Sequence, residues 1–279
     1  MPTTKVHDIE LYYEEHGKGD PLLCIMGFAT DSTGWLLQVP AFAEHHRTIV
    51  FDNRGVGRSD KPTGAYTIHE MADDAVALLD HLKIDRTHVL GLSMGGMIAQ
   101  ELVLRHPDRV RGLVLAATFP EPDVETEEQR KVIFTQMGGS ITEGGEMKID
   151  VAAMNPMMFF QHLLPLVFTP SFIQTDLPKL MHMFAGALQY GFSIEAIMGQ
   201  MQAIMAHKAT DRLAQVKAPT LVLTGDADRL ISPANSDVLA RSIPGAKLVR
   251  IPGGSHGFNI EMPDAFNREV LSFFAAVRN

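Results

Sequence analysis

The chain has 279 residues, 46% of them apolar and 20% charged, with a net charge of −9. This length allows one large α/β domain with an insert, or two small domains, and buries a core without disulfide staples. The acidic balance argues against nucleic acid or an anionic membrane as a partner. The single cysteine, Cys24, rules out an internal disulfide.

Residues 1–8 lack the apolar stretch of a signal peptide, and no uncharged apolar run reaches the roughly 18 residues of a membrane span. A soluble cytoplasmic protein is expected. Residues 5–14, with Val6, Ile9, Leu11 and Tyr13 between polar groups, predict an edge strand or hairpin arm. Leu22 to Met26 follows Pro21 and ends at Gly27; Arg47 to Phe51, residues 86–92 and Val110 to Ala116 are similar short apolar runs. Runs of this kind suit strands buried on both faces. Between them, residues 68–82 place Ile68, Met71, Ala75, Leu78, Leu79 and Leu82 at helical spacing, and residues 94–105 form a second helix stopped by His106-Pro107. Strands alternating with helices predict an α/β fold, a mostly parallel central sheet with helices on both faces.

From about Phe119 to Asp211 the pattern changes. No buried strand is evident, the composition is helical with breaks at prolines and glycines, and ten of the 16 methionines lie there. After Pro219 the alternation returns: a strand at Leu221–Leu223, a helix over 233–242, a strand at Lys247–Ile251 and a closing helix over 263–277. The expected layout is a core of residues 1–118 and 212–279 interrupted by an inserted helical cap of residues 119–211.

Gly91-Leu92-Ser93-Met94-Gly95 matches G-x-S-x-G. It follows a predicted buried strand and opens a predicted helix, the context in which a sharp turn lifts a serine hydroxyl above the sheet. A serine N-cap with packing glycines would carry the same five letters. With this motif in place, the chain resembles the α/β-hydrolase family over nearly its whole length. Residues 22–118 and 219–278 match the family core, the break falls where that family inserts a cap, and Phe51 to Asp60 resembles its loop after the fourth strand. More narrowly, the chain is similar to small bacterial carboxylesterases, 3-oxoadipate enol-lactonase-like hydrolases and aclacinomycin methyl esterase-like hydrolases.

A serine nucleophile needs a base, and histidine suits working pH. Twelve histidines compete. His256 lies in the glycine-rich loop Gly253-Gly254-Ser255-His256-Gly257 after the last strand, at the same sheet edge as Ser93, and the family order of Ser, Asp, His selects it. His45, His46, His69, His81, His88 and His106 read as solvated; His162, His182 and His207 fall in the cap. For the acid that orients the imidazole, the residues alone leave Asp226 and Asp228 open. Gly225 and Asp228 fit the start of the family pattern G-x-x-D-x-x-x-P, with Pro233 one residue beyond the pattern's proline; the resemblance implies Asp228, with Asp226 a turn residue.

The resemblance implies an oxyanion hole of the backbone N–H groups of Met94 and Phe28. Met26 stands where the family usually carries histidine. Trp35 reads as a packing anchor, and Asp52, Arg54 and Ser59 as holding their loop by charge-assisted hydrogen bonds. The Met157–Phe160 and Leu163–Phe168 segments predict an apolar pocket wall.

No His/Cys/Asp cluster has metal-ligand spacing, so neither metal nor cofactor is expected. The expected activity is that of a carboxylic ester hydrolase, a serine esterase or lactonase acting on a largely apolar small molecule through an acyl-enzyme. Ser93-Met94-Gly95-Gly96 also resembles cofactor-free haloperoxidases, which makes perhydrolysis an alternative; a ligand receptor on a hydrolase fold is another.

Overall fold

The computed structural model describes residues 2–122, 135, 139–141, 147–149, 163–191 and 193–277. The strands in chain order are β1 (Thr3–Val6), β2 (Ile9–His16), β3 (Pro21–Ile25), β4 (Arg47–Phe51), β5 (Thr87–Leu92), β6 (Val110–Ala116), β7 (Gly139–Ile141), β8 (Met147–Ile149), β9 (Thr220–Gly225) and β10 (Lys247–Ile251). Eight of them form one sheet in the order β1-β2-β4-β3-β5-β6-β9-β10. β1 and β2 pair antiparallel, β2 joins β4 antiparallel, and the rest of the sheet is parallel.

The helices are α1 (Val39–Ala43), α2 (Ile68–His81), α3 (Met94–Arg105), α4 (Pro170–Gln189), α5 (Ile194–Ala206), α6 (Ala234–Ser242), α7 (Phe258–Glu261) and α8 (Pro263–Ala276). Successive strand residues point to opposite faces. Leu23, Val89 and Leu113 thus pack with Met71, Leu78, Ile98 and Leu102 of α2 and α3. Leu22, Leu90 and Val114 pack on the other face with Trp35, Phe42, Phe266, Val270 and Phe274. Burial on both faces explains why these strands carry short apolar runs and not an alternating pattern.

Between β6 and β9 none of the described residues joins the main sheet. α4 carries Pro178 in its interior, where the missing N–H interrupts the helical ladder. α5 is capped by Ser193, whose Oγ accepts from Ala196 N at 3.2 Å. A stretch read as helical also holds the antiparallel pair β7–β8, matched Gly139↔Ile149 and Ile141↔Met147, apart from the main sheet. Strands of three residues are too short for period-2 patterning to register. The Met157–Phe160 segment lies outside the described residues, as do His162 and the side chain of His182. Among the described residues no helix is long and apolar enough to cross a membrane.

Two histidines expected in solvent are buried instead. His88 is 3% exposed and His46 8%; their rings meet edge-on, and His88 lies 4.6 Å from the Phe274 ring. His88 shares a strand face with Leu90, so strand parity places it in the aromatic layer under α8. His207 is likewise buried, beside Glu101. Burial pushes His88 and His207 each down to about 4. In the unfolded chain each returns to the ordinary value near 6.5, so the unfolded state holds the extra protons between those limits and stability falls as pH drops from 6.5 toward 4. Each group contributes up to about 3 kcal/mol of this loss. Urea midpoints at pH 7 and 4.5 should show the drop, and His88→Phe should reduce it; an unchanged drop in that variant would remove His88 from the account.

Candidate active site

In a parallel sheet the carboxyl ends of neighbouring strands lie along one edge, about 4.8 Å apart. β3, β5, β6, β9 and β10 are such neighbours. Met26 to Phe28 follows β3, Ser93 follows β5, Asp228 follows β9 and His256 follows β10. The sheet order therefore gathers residues that are up to 230 positions apart in sequence.

Ser93 occupies the sharp turn into α3 with φ +57° and ψ −121°, a conformation a non-glycine residue holds only when its surroundings impose it. Ser93 N donates to Ala116 O at 2.9 Å, and Thr118 Oγ1 donates to Ser93 O at 2.8 Å. The glycines two residues away allow close approach. A Cβ on Gly91 would lie 2.2 Å from Gly95 O, and one on Gly95 would lie 2.0 Å from Ile25 O. The turn is thereby pressed against the end of β3. A Cβ on Gly27 would fall 3.6 Å from Ser93 Oγ, so the loop carrying the Phe28 N–H runs beside the hydroxyl. Met94 is the first residue of α3, where a helix leaves its N–H without an intrahelical acceptor.

His256 Nδ1 lies 2.9 Å from Asp228 Oδ2. A carboxylate only accepts, so Nδ1 carries the proton and donates, leaving Nε2 as the basic nitrogen. Both side chains are buried, each residue 6% exposed. The other carboxylate oxygen, Asp228 Oδ1, accepts from Leu230 N and Ile231 N, each at 2.9 Å. Asp226 points outward and accepts from Gly253 N at 2.6 Å. It joins the acid loop to the histidine loop, helped by Ala227 N donating to Gly254 O at 2.9 Å.

Ser93, His256, Gly27 and Phe28 share the wall of one cavity of about 180 Å³. Asp228 stands behind His256, and neither it nor Met94 is on the wall. Val56, Leu163, Leu164, Val167, Phe168 and Leu180 make the enclosure largely apolar. The 163–168 segment thus lines the cavity as expected. Among the described residues Met26 is the methionine on the wall, and Met181 is 40% exposed. Gly257 N donates to Val167 O at 2.7 Å, tying the histidine loop to this segment. Ser255 Oγ donates to Glu261 at 2.5 Å, and Glu261 also accepts from Thr169.

The loop after β4 forms a rigid border. Asp52, fully buried, accepts from Ser32 N, Arg58 N and Arg58 Nε between 2.8 and 2.9 Å. Arg54 donates twice to Asp74 and also to Glu70 and Asp8. Trp35 is fully buried against Phe266. Among the described residues no group of three or more His, Cys, Asp or Glu is placed to hold a metal ion.

Two buried polar residues near the site were not singled out by motif. Asn259 Nδ2 donates to Gly34 O at 3.1 Å and lines the cavity. Gln200 is fully buried in α5. Its signal was available: Ala196, Ile197, Ala203 and Ile204 form an apolar stripe at helical spacing, and Gln200 interrupts its centre.

A family model described as the alpha/beta hydrolase fold matches residues 20–143. A protein of Azorhizobium caulinodans named "Putative carbamate hydrolase RutD" is 29% identical over 98% of each chain. The solved structure of the enol-lactonase from Burkholderia xenovorans LB400 is 30% identical, covers 98% of this chain and 100% of its own, and has a TM-score of 0.85. Est816, described as an N-acyl homoserine lactone degrading enzyme, is 32% identical over 98% and 100% of the two chains, with a TM-score of 0.80. A serine on a strained strand-to-helix turn, a carboxylate-bound histidine on the same sheet edge and full-length likeness to these structures agree: the chain belongs to the alpha/beta hydrolase fold family.

Proposed function

We propose that the protein is a serine hydrolase that cleaves a carboxylic ester or lactone of a largely apolar small molecule through an acyl-enzyme. His256 Nε2 takes the proton of Ser93 Oγ, which attacks the carbonyl carbon. The Phe28 and Met94 N–H groups hold the oxyanion, and Asp228 stabilises the imidazolium. Collapse of the tetrahedral adduct breaks the ester bond, and the imidazolium protonates the leaving alcohol. Water, deprotonated by His256, then releases the acid. No cofactor takes part. Residues 119–211 act as a cap over the carboxyl edge of the sheet.

The observation that carries this reading is the Nδ1–H bond from His256 to Asp228, on a histidine that shares a cavity wall with Ser93. The apolar lining supports an apolar acyl group, and the relatives' names support esters, lactones and carbamates as the classes to compare. An apolar cavity of about 150 Å³ accommodates benzene, so a space of about 180 Å³ fits an acyl group of similar size.

A fluorophosphonate probe followed by peptide mapping should label Ser93. A panel of p-nitrophenyl esters, lactones and carbamates should give the highest kcat/KM for acyl groups of roughly four to eight carbons, with laurate well below. Labelling at another residue, or failure to label together with no turnover on the panel, overturns the proposal.

A further inference from the structure

We infer that Gln200 is a positioning residue for the oxyanion loop, through a clamp that α5 places on the peptide next to the Phe28 N–H. This rests on the assignment of Phe28 as an oxyanion donor. Gln200 Oε1 accepts from Ala29 N at 2.9 Å, and Gln200 Nε2 donates to Arg54 O at 2.9 Å. The second bond fixes which end of the amide faces Ala29, because a carbonyl accepts only from the NH₂ end. Arg54 is a firm anchor, since its guanidinium is held by Asp74, Glu70 and Asp8.

The clamped peptide is the one joining Phe28 to Ala29. Its N–H goes to Gln200, and its carbonyl, Phe28 O, accepts from Thr30 Oγ1 at 3.0 Å. Both poles of a single peptide plane are therefore held, which prevents the plane from rotating. That restraint answers a local need: Ala29 has φ +55°, in the left-handed region where a residue with a Cβ is strained. Ala29 is half-buried on the cavity wall; without its partner the N–H would lose its protein acceptor, and a plane rotation that relaxes Ala29 would carry the adjoining Phe28 torsions with it. The Phe28 N–H would then lose its aim at the oxyanion, where preorganised direction is what accelerates the reaction.

α5 is suited to this role. Gly199 and Gly55 bring it close to the core: a Cβ on Gly199 would lie 2.8 Å from Gly64 O, and one on Gly55 would lie 3.2 Å from Ala196 Cβ. Ile197, one turn before Gln200, lines the cavity. One helix thus contacts the substrate space with one side chain and holds the oxyanion loop with another.

The test uses the full chain, with active sites counted by fluorophosphonate titration. Loss of one oxyanion donor costs about 100- to 1,000-fold, and loss of its alignment should cost less. Gln200→Leu and Gln200→Met should therefore lower kcat per titrated site about 10- to 100-fold, with KM within about threefold. The Ki of an alkyl trifluoromethyl ketone, whose serine adduct mimics the oxyanion, should rise by a similar factor. Gln200→Glu keeps an acceptor for Ala29 and, with its buried carboxyl protonated, a donor for Arg54; it should recover most of the loss. Wild-type kcat per site and wild-type Ki in the Leu and Met variants overturn the inference, even if fewer sites titrate. Wild-type protein that ignores the ketone, or Ser93→Ala that keeps full activity, instead overturns the underlying hydrolase reading.

Discussion

Ser93→Ala is expected to lower kcat for p-nitrophenyl butyrate hydrolysis by about 10⁴- to 10⁶-fold while the protein stays folded. The substitution removes one oxygen from a half-buried position. It leaves the bonds that define the turn, because Ser93 N to Ala116 O and Thr118 Oγ1 to Ser93 O use only the backbone of residue 93. The strain at φ +57° also stays, since alanine and serine meet the same steric limits there. Thermal unfolding should therefore stay within a few degrees of wild type, and the lost activity can be assigned to chemistry. Residual turnover above water reflects the oxyanion donors and the cavity acting without a nucleophile. Retention of full ester hydrolysis would mean that another group attacks the carbonyl.

The elements that place Ser93 are readable from local chemistry. β3, β5, β6 and β9 are buried on both faces, so each carries a short apolar run in place of a polar–apolar alternation. The turn at Ser93 is readable because a Cβ on Gly91 or Gly95 would collide with backbone, which leaves an imprint at fixed offsets. The histidine loop is readable as a glycine-rich segment after a strand, and the acid loop as Gly225-Asp226-Ala227-Asp228 at the end of another.

What escapes such reading depends on contacts between distant segments. Gln200 meets Ala29 across 171 residues, and no local pattern announces that pairing. His88 was misplaced because its polar side chain outweighed strand parity, although Leu90 two residues on shares its face. Asp226 and Asp228 have the same parity after β9 and sit in the same loop, so the residue period does not distinguish them. Only the turn that sends one carboxylate to Gly253 and the other to His256 does so.

That division gives a paired expectation. Asp228→Asn should lower kcat by about 10⁴-fold, and Asp226→Asn should stay within about threefold of wild type because its remaining oxygen still accepts from Gly253 N. In the Asp228 variant the Leu230 and Ile231 N–H groups require an acceptor, so the amide oxygen settles where Oδ1 now lies. The NH₂ group then faces His256 Nδ1. A donor facing a donor is unfavourable, so the imidazole shifts its proton to Nε2 and presents Nδ1 as the acceptor. Nε2, the nitrogen assigned as the base, is then protonated and unable to take the serine proton. The ring stays in place, the cavity keeps its shape, and KM should change little while kcat collapses. Fluorophosphonate labelling should slow in parallel with ester hydrolysis, because both need the serine proton removed. If Asp226→Asn collapses kcat and Asp228→Asn does not, the acid of the triad is Asp226 and the loop after β9 rearranges in the working enzyme.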